Sequence, residues 1–249
     1  MHRFYLPPPF CQGDPLELSG PEAHHALHVL RLVVGDPITV LDGAGGVLDC
    51  EVAATDRRTV TLAVRRREQR PRPALAVTLF QAVAKTRAME WIVQKATELG
   101  VRRLVPVLTE RSVPRFPAGD AEPKAARWRE IAIEALKQSG TPWLPEISAP
   151  APLAATLGAG RAFELALVAA LAPEAGHPRR MLEEFRTRHG GQPLAVAVWI
   201  GPEGDFTPAE LEAIRSTGAR PVTLGPRVLR CDTAAVYCLS VLNYELLPD

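Results

Sequence analysis

Two short stretches near the C-terminus gather the side chains best suited to acid–base and electrostatic chemistry. IGPEGDF at 200–206 carries Glu203, and LGPRVLRCDTA at 224–234 carries Arg227, Arg230 and Asp232. A positioned carboxylate takes or gives a proton, and a guanidinium stabilises negative charge as it develops. Glu203 and Asp232 are therefore candidate acid–base groups, although both equally suit capping a helix or orienting a loop. Arg230 is the candidate for the cationic role, and Arg227 for holding phosphate. Gly201, Gly204 and Gly225 lie among them, where missing side chains let backbone N–H and C=O groups approach a ligand closely.

The flanking residues say how these stretches are carried. Each follows an apolar run, LAVAVW at 194–199 and PVTL at 221–224, that reads as a buried strand. TPAE at 207–210 fits a capping box, with Thr207 as N-cap, proline in the first turn and Glu210 reaching back. Leu211 and Ile214 give that helix an apolar face, and Gly218 is its expected stop. Residues 234–247 close the chain as an amphipathic helix with Ala235, Cys238, Leu239, Leu242 and Leu246 on one side.

Upstream, strands and helices alternate. Residues 75–83 are almost wholly apolar, as a strand buried on both faces should be. A helix is expected over 86–99, with Met89, Ile92, Val93, Ala96 and Leu99 on one face and Gly100 ending it. A strand over 101–108, a helix over 125–139 and a strand over 163–171 follow. Such alternation argues a parallel α/β sheet, which binds ligands at the carboxyl ends of its strands. Lys85 and Arg111 each follow a strand end at that edge, and residues 169–173 would form a third loop there.

The first 72 residues have a different rhythm. A helical segment over 23–32 is followed by β-branched runs at 38–41, 47–52 and 59–64, the pattern of a small β-barrel or sandwich. GAGG at 43–46 lies between two of these strands, so it reads as a hairpin turn and not a dinucleotide loop. His24 and His28 are four apart, but His25 stands where a zinc-binding helix needs glutamate, and no metal is expected. RRREQRPR at 65–72 reads as an exposed basic connector. The domain boundary is placed there, giving domains at 1–72 and 73–249.

Composition narrows the classes further. No apolar run is long enough to span a bilayer, and MHRFYLPPPF lacks the apolar core of a secretory leader; a soluble cytoplasmic protein is expected. Cys11, Cys50, Cys231 and Cys238 form no C-x-x-C pair, so reduced thiols are expected. Net charge is only +1, yet 25 of the 29 basic residues are arginine, which suits phosphate contacts and base stacking if the charge is patched. Walker, G-x-S-x-G and H-E-x-x-H motifs are absent.

Taken together, GPEG-x-F-T-x-x-E and LGPRVLR-x-D-TA resemble the RsmE-type branch of the SPOUT RNA methyltransferases. The likeness continues through Arg3-Phe4, His28-Val-Leu-Arg31, Lys85, Gln94-Lys95, Glu110-Arg111-Ser112 and Gln138-Ser139-Gly140. It implies a PUA-like RNA-binding domain followed by an α/β-knot methyltransferase domain whose C-terminal loops are threaded into a trefoil knot. It further implies methylation of N3 of a uridine in small-subunit ribosomal RNA, on naked RNA or the 30S subunit, with S-adenosylmethionine and no metal. The cofactor would be held mostly by main chain at Ile200, Gly201, Pro202 and Gly204 and at Leu224, Gly225, Val228 and Leu229, with Leu171 beside the adenosyl group. RNA contacts would fall to Arg3, His28, Arg31, Lys85, Arg111 and Arg227, and the knot region would form a homodimer.

This chain departs from the pattern at four places. Lys137 is usually acidic, Thr141 is usually arginine, Asp205 replaces the second glycine of GPEGG, and Cys231-Asp232 replaces Thr-Glu. The last two keep open a non-catalytic RNA-binding protein on the same scaffold. A small-molecule α/β enzyme with an unrelated N-terminal barrel is a third reading.

Overall fold

The computed structural model describes residues 2–112, 120–158 and 163–247. The chain divides into two compact units, Met1–Arg72 with Ile133–Leu144, and Pro73–Ala132 with Pro145–Asp249.

In the first unit, β1 (His2–Tyr5), β2 (Leu16–Leu18), the short helix α1 (Gly20–His24), β3 (Pro37–Leu41), β4 (Gly46–Thr55) and β5 (Val60–Gln69) follow in order. The strands make one sheet in the order β1-β3-β4-β5-β2. Parallel pairing of β1 with β3 and antiparallel pairing elsewhere put Phe4, Leu18, Ile38, Val40, Val52, Val60 and Leu62 in one core. GAGG forms the turn between β3 and β4: the Asp42 carboxylate accepts the Ala44 and Gly46 N–H groups at 2.7 Å each.

Two local expectations change. The helix expected over 23–32 is α-helical only to His24 and then widens into a π-turn, His25–Val29, before Arg31 takes φ +56°. Leu27 and Leu30 still pack on the core that Ala23 and Ala26 enter. The basic run is not a free connector either. β5 continues to Gln69, because Arg66, Arg67, Glu68 and Gln69 pair with residues 46–49 of β4.

Residues 133–144 also belong to this unit. The Arg3 guanidinium donates to the Lys137 and Gln138 carbonyls at 3.2 and 3.0 Å, and Leu136 packs with Leu41 and Val47. Lys137, 7% exposed, pairs with Glu22 at 2.7 Å and Glu134 at 2.8 Å. Burial pulls its pKa down, but the hydrogen bonds to Glu134 and Glu22 outweigh that and hold it above the usual 10.5. A raised lysine contributes stability that is full below pH 10.5 and is lost as pH rises through the folded-state value. Lys137→Met leaves the half-buried Glu22 carboxylate without its partner and is expected to cost about 1–3 kcal/mol in urea unfolding at pH 7. An unchanged midpoint would show that the pair contributes nothing.

The second unit contains β6 (Ala76–Ala82), α2 (Thr86–Glu98), β7 (Arg103–Leu108), the first part of α3 (Ala121–Ser139), β8 (Glu146–Ile147), β9 (Ala151–Pro152) and α4 (Leu153–Thr156). Then come β10 (Leu165–Ala169), α5 (Pro178–His189), β11 (Ala195–Ile200), α6 (Pro208–Arg215), β12 (Arg220–Val222) and α7 (Cys231–Leu246). The sheet runs β12-β10-β11-β6-β7-β8, with β9 also on β7, and every pairing is parallel. Trp199 of β11 stacks on Phe80 of β6 at 3.8 Å, with Phe163 edge-on to Phe80. Apolar faces of α2 and α7 are buried, and the Asn243 amide donates to the Leu99 carbonyl that ends α2, at 2.8 Å.

The short edge strand β12 is held on both sides. Ala170 N–H donates to Val222 O beside β10, while Gly176 N–H donates to Pro221 O and Thr223 N–H to Gly176 O on the other side. Both ends of the segment that joins β10 to α5 therefore flank the strand. β12 stops at Val222, two residues before the expected end, because Thr223 Oγ1 turns back to accept Gly225 N–H and Gly225 takes φ +109°.

Candidate active site

Three loops leave the carboxyl ends of β10, β11 and β12 and meet around an open cleft. The capping box expected at Thr207 is formed, with Thr207 Oγ1 accepting Glu210 N–H at 3.3 Å and Glu210 Oε2 accepting Thr207 N–H at 2.9 Å. That fixes where α6 starts and so where the 201–206 turn must sit. Within the turn, a Cβ on Gly201 would lie 3.0 Å from Asp205 Oδ1 and 3.3 Å from the Phe206 ring, so a larger residue displaces its neighbours. Gly225, at φ +109°, holds a conformation that side-chain-bearing residues rarely adopt.

Eight of the nine residues that the resemblance assigns to the cofactor line this cleft: Leu171, Ile200, Gly201, Pro202, Leu224, Gly225, Val228 and Leu229. Gly204 does not. It lies beneath Arg111, whose Nη1 donates to the Gly204 carbonyl at 2.7 Å, while Glu110 N–H donates to Glu210 Oε1 at 2.8 Å. The segment after β7 thus braces the 201–210 stretch, a contact that glycine spacing alone could not reveal.

Glu203 and Arg227 line the cleft; Arg230 and Asp232 do not. The Arg230 side chain is 80% exposed and sits 3.6 Å from Asp232. Asp232 Oδ1 also accepts Thr233 N–H at 2.8 Å in the first turn of α7, the helix-end placement that stood as its alternative. Glu203 is exposed and has no ion-pair partner among the described residues.

Val222, Thr223, Cys231 and Ala234 line the cleft without a site role assigned from sequence. Cys231 is buried and lines the cleft; burial first, then the charges of Glu203 and Asp232, push its thiol up to about 11. A thiol so raised stays protonated at neutral pH and is a poor nucleophile. Cys11, Cys50 and Cys238 are buried too, pushed to about 11, 12 and 12 by desolvation.

Of the residues assigned to RNA, Arg3, His28 and Arg31 lie in the first unit and Lys85, Arg111 and Arg227 in the second. Arg3 is held by the carbonyls described above. His28 lies against His24, ring centroids 4.9 Å apart, and both are exposed. Arg31 is exposed and left-handed, and Lys85 is exposed as the N-cap of α2. Among the described residues no three His, Cys, Asp or Glu side chains cluster as a metal site, and no helix is long and apolar enough to cross a membrane.

The cleft's chemistry suits a nucleoside-bearing cation. Ile200, Val222, Leu224, Val228 and Leu229 supply apolar walls, the turns supply main-chain polar groups, and Glu203 and Asp205 supply negative charge.

Comparison with known proteins points the same way. Residues 70–243 match the family model of the RNA methyltransferase domain, and residues 18–65 that of the RNA methyltransferase PUA domain. Ribosomal RNA small subunit methyltransferase E of Bacillus subtilis is 31% identical over 238 residues, 94% of this chain and 91% of that one. The Aquifex aeolicus protein of the same name is 31% identical over 243 residues, 97% of this chain and 99% of its own. Among solved structures, a Legionella pneumophila methyltransferase in complex with bound cofactor SAM superposes with a TM-score of 0.87, at 31% identity, covering 98% and 97% of the two chains. The Neisseria gonorrhoeae ribosomal RNA small subunit methyltransferase E, bound to S-adenosyl methionine, gives 0.84 at 28% identity, covering 98% of each. With a PUA-type domain leading into a parallel sheet whose last three loops build one cleft, the chain belongs to the ribosomal RNA small subunit methyltransferase E family.

Proposed function

We propose that this protein methylates N3 of a uridine in small-subunit ribosomal RNA, using S-adenosylmethionine held in the three-loop cleft. The observation that carries the reading is the convergence of Leu171, Ile200–Pro202 and Leu224–Leu229 on one cleft beside Glu203 and Arg227. Main chain at the 200–206 and 223–229 turns would hold the adenosyl part, with Leu171 beside it. The bound cofactor supplies the methyl group from its sulfonium.

The protein's own residues then handle a proton and a charge. N3 of uracil is a poor nucleophile until its proton leaves, so a base and a cation are both required. Glu203 is the better-placed base, because it lines the cleft while Asp232 is engaged by Thr233 and Arg230. Arg230, exposed beside the cleft's third loop, stabilises charge on the uracil oxygens, and Arg227 holds phosphate. Residues 1–72 serve as the RNA-recognition domain, with His28 and Arg31 on its exposed surface, and 73–249 as the transfer domain. Lys85 guides RNA at the edge of the transfer domain, while Arg111 and Arg3 act through the loop and helix end that they brace. The site of action is cytoplasmic, where ribosomal RNA is assembled.

The partner is a second copy of the chain. Trp91 of α2 and Val236, Tyr237, Val241 and Tyr244 of α7 form an apolar groove, with Tyr244 85% exposed. Tyr237→Arg is expected to convert a dimer to a monomer by sedimentation. A wild-type monomer at tens of micromolar removes the dimer.

The activity is tested with labelled S-adenosylmethionine and small-subunit RNA, or 30S subunits, lacking the modification. Nucleoside mass spectrometry should show 3-methyluridine. Methyl incorporation at another atom contradicts the N3 assignment, and none with either substrate contradicts the activity.

A further inference from the structure

Asp205 stands where the resemblance implies glycine, and the structure gives that exchange a physical content. The residue is left-handed, φ +59°, at the end of a turn closed by its own N–H on the Pro202 carbonyl. Glycine satisfies such a position most easily; among other residues Asn and Asp tolerate it best. Asp205 lines the cleft. Its Oδ1 accepts Phe206 N–H at 2.8 Å and lies 3.0 Å from where a Gly201 Cβ would be, over the start of the turn. Its Oδ2 accepts Leu171 N–H at 3.2 Å, tying the loop after β11 to the loop after β10.

A neutral asparagine would tolerate the same backbone, but its single acceptor oxygen could take only one of the Leu171 and Phe206 N–H groups. Aspartate adds the second acceptor and a charge. Among the described residues no basic group pairs with it, and the ionisable lining is Glu203 and Asp205 against Arg227 alone, with Cys231 a neutral thiol. Held by two backbone N–H groups, the carboxylate is fixed in place.

Resting on the proposed cofactor reading, we propose that Asp205 is a specificity-determining residue that makes the cleft prefer the cationic cofactor over its demethylated, uncharged-sulfur product. The two ligands share the adenosyl and amino-acid parts and differ by one methyl and one positive charge at sulfur. A fixed negative charge in the lining favours the first and leaves the second nearly unaffected. This chain would therefore release its product more readily than the same cleft with glycine at 205.

The test is calorimetric titration of the whole protein with S-adenosylmethionine and, separately, S-adenosylhomocysteine. Wild type, Asp205→Asn and Asp205→Gly are compared at low and high salt. The expected result is that the ratio of the two Kd values moves toward the product by about fivefold in both variants. The wild-type preference should also weaken with salt more than the variants' does. A loop clamp without electrostatic selectivity would weaken both ligands alike and leave the ratio unchanged, and that outcome overturns the proposal. Wild type that binds neither ligand overturns the cofactor reading itself. The glycine variant, which adopts positive φ without strain, keeps the test interpretable if the asparagine variant folds poorly.

Discussion

Glu203→Gln is expected to lower methyl transfer by about 10²–10⁴, the range for loss of a positioned general base, while leaving S-adenosylmethionine affinity within a few-fold. The substitution keeps the shape of the side chain and removes only its ability to take a proton. Glu203 is exposed in the lining, so the 201–206 turn does not depend on it for folding. The residual rate of the variant should climb with pH, because hydroxide then does what the carboxylate no longer does. A variant with wild-type turnover and an unaltered pH profile would remove Glu203 from the chemistry.

Arg230→Ala carries the second large effect, about 10²-fold in turnover with cofactor binding retained, as for loss of one preorganised charge at a developing anion. The side chain is exposed and its ion pair to Asp232, at 3.6 Å, is of a kind that contributes little stability. Folding should therefore be unaffected, which separates this change from Gly201 or Gly225 substitutions that disturb the loop itself. Arg230→Lys should recover only part of the loss, since an ammonium lacks the planar pair of donors that suits a uracil edge. Turnover intact in Arg230→Ala would show the electrostatic role to be wrong, and Arg227 would then be the cation to test.

Much of the cleft was legible in the sequence because its signals are local. The capping box at Thr207 and Glu210, the apolar run at 194–199 and the glycines at 201 and 225 act over a few residues, and each is found as expected. The strands at 76–82 and 103–108 and the helices at 86–98 and 231–246 follow from apolar periodicity in the same way. Helix α5 was not anticipated. Its apolar set is only Met181, Leu182 and Phe185 in an arginine- and glutamate-rich stretch, too sparse for a periodicity argument despite the left-handed Gly190 that ends it.

Long-range placement was the other loss. Arg3 reaches carbonyls 134 and 135 residues away, which is why residues 133–144 join the first unit with no sign of it in their own composition. Gly204 looks like Gly201 in sequence, yet its carbonyl is taken by Arg111, 93 residues earlier. Asp205 was visible as a departure from a family pattern. Its bond to Leu171, 34 residues away, is a property of two loops brought together by adjacent strands.

The most direct test is a crystal structure of the protein grown with S-adenosylmethionine. The account predicts the cofactor enclosed by Leu171, by the 200–206 turn and by the 223–229 turn, with its hydrogen bonds made mainly to main chain. Cofactor bound elsewhere on the molecule, or those three loops left empty at saturating concentration, would contradict it.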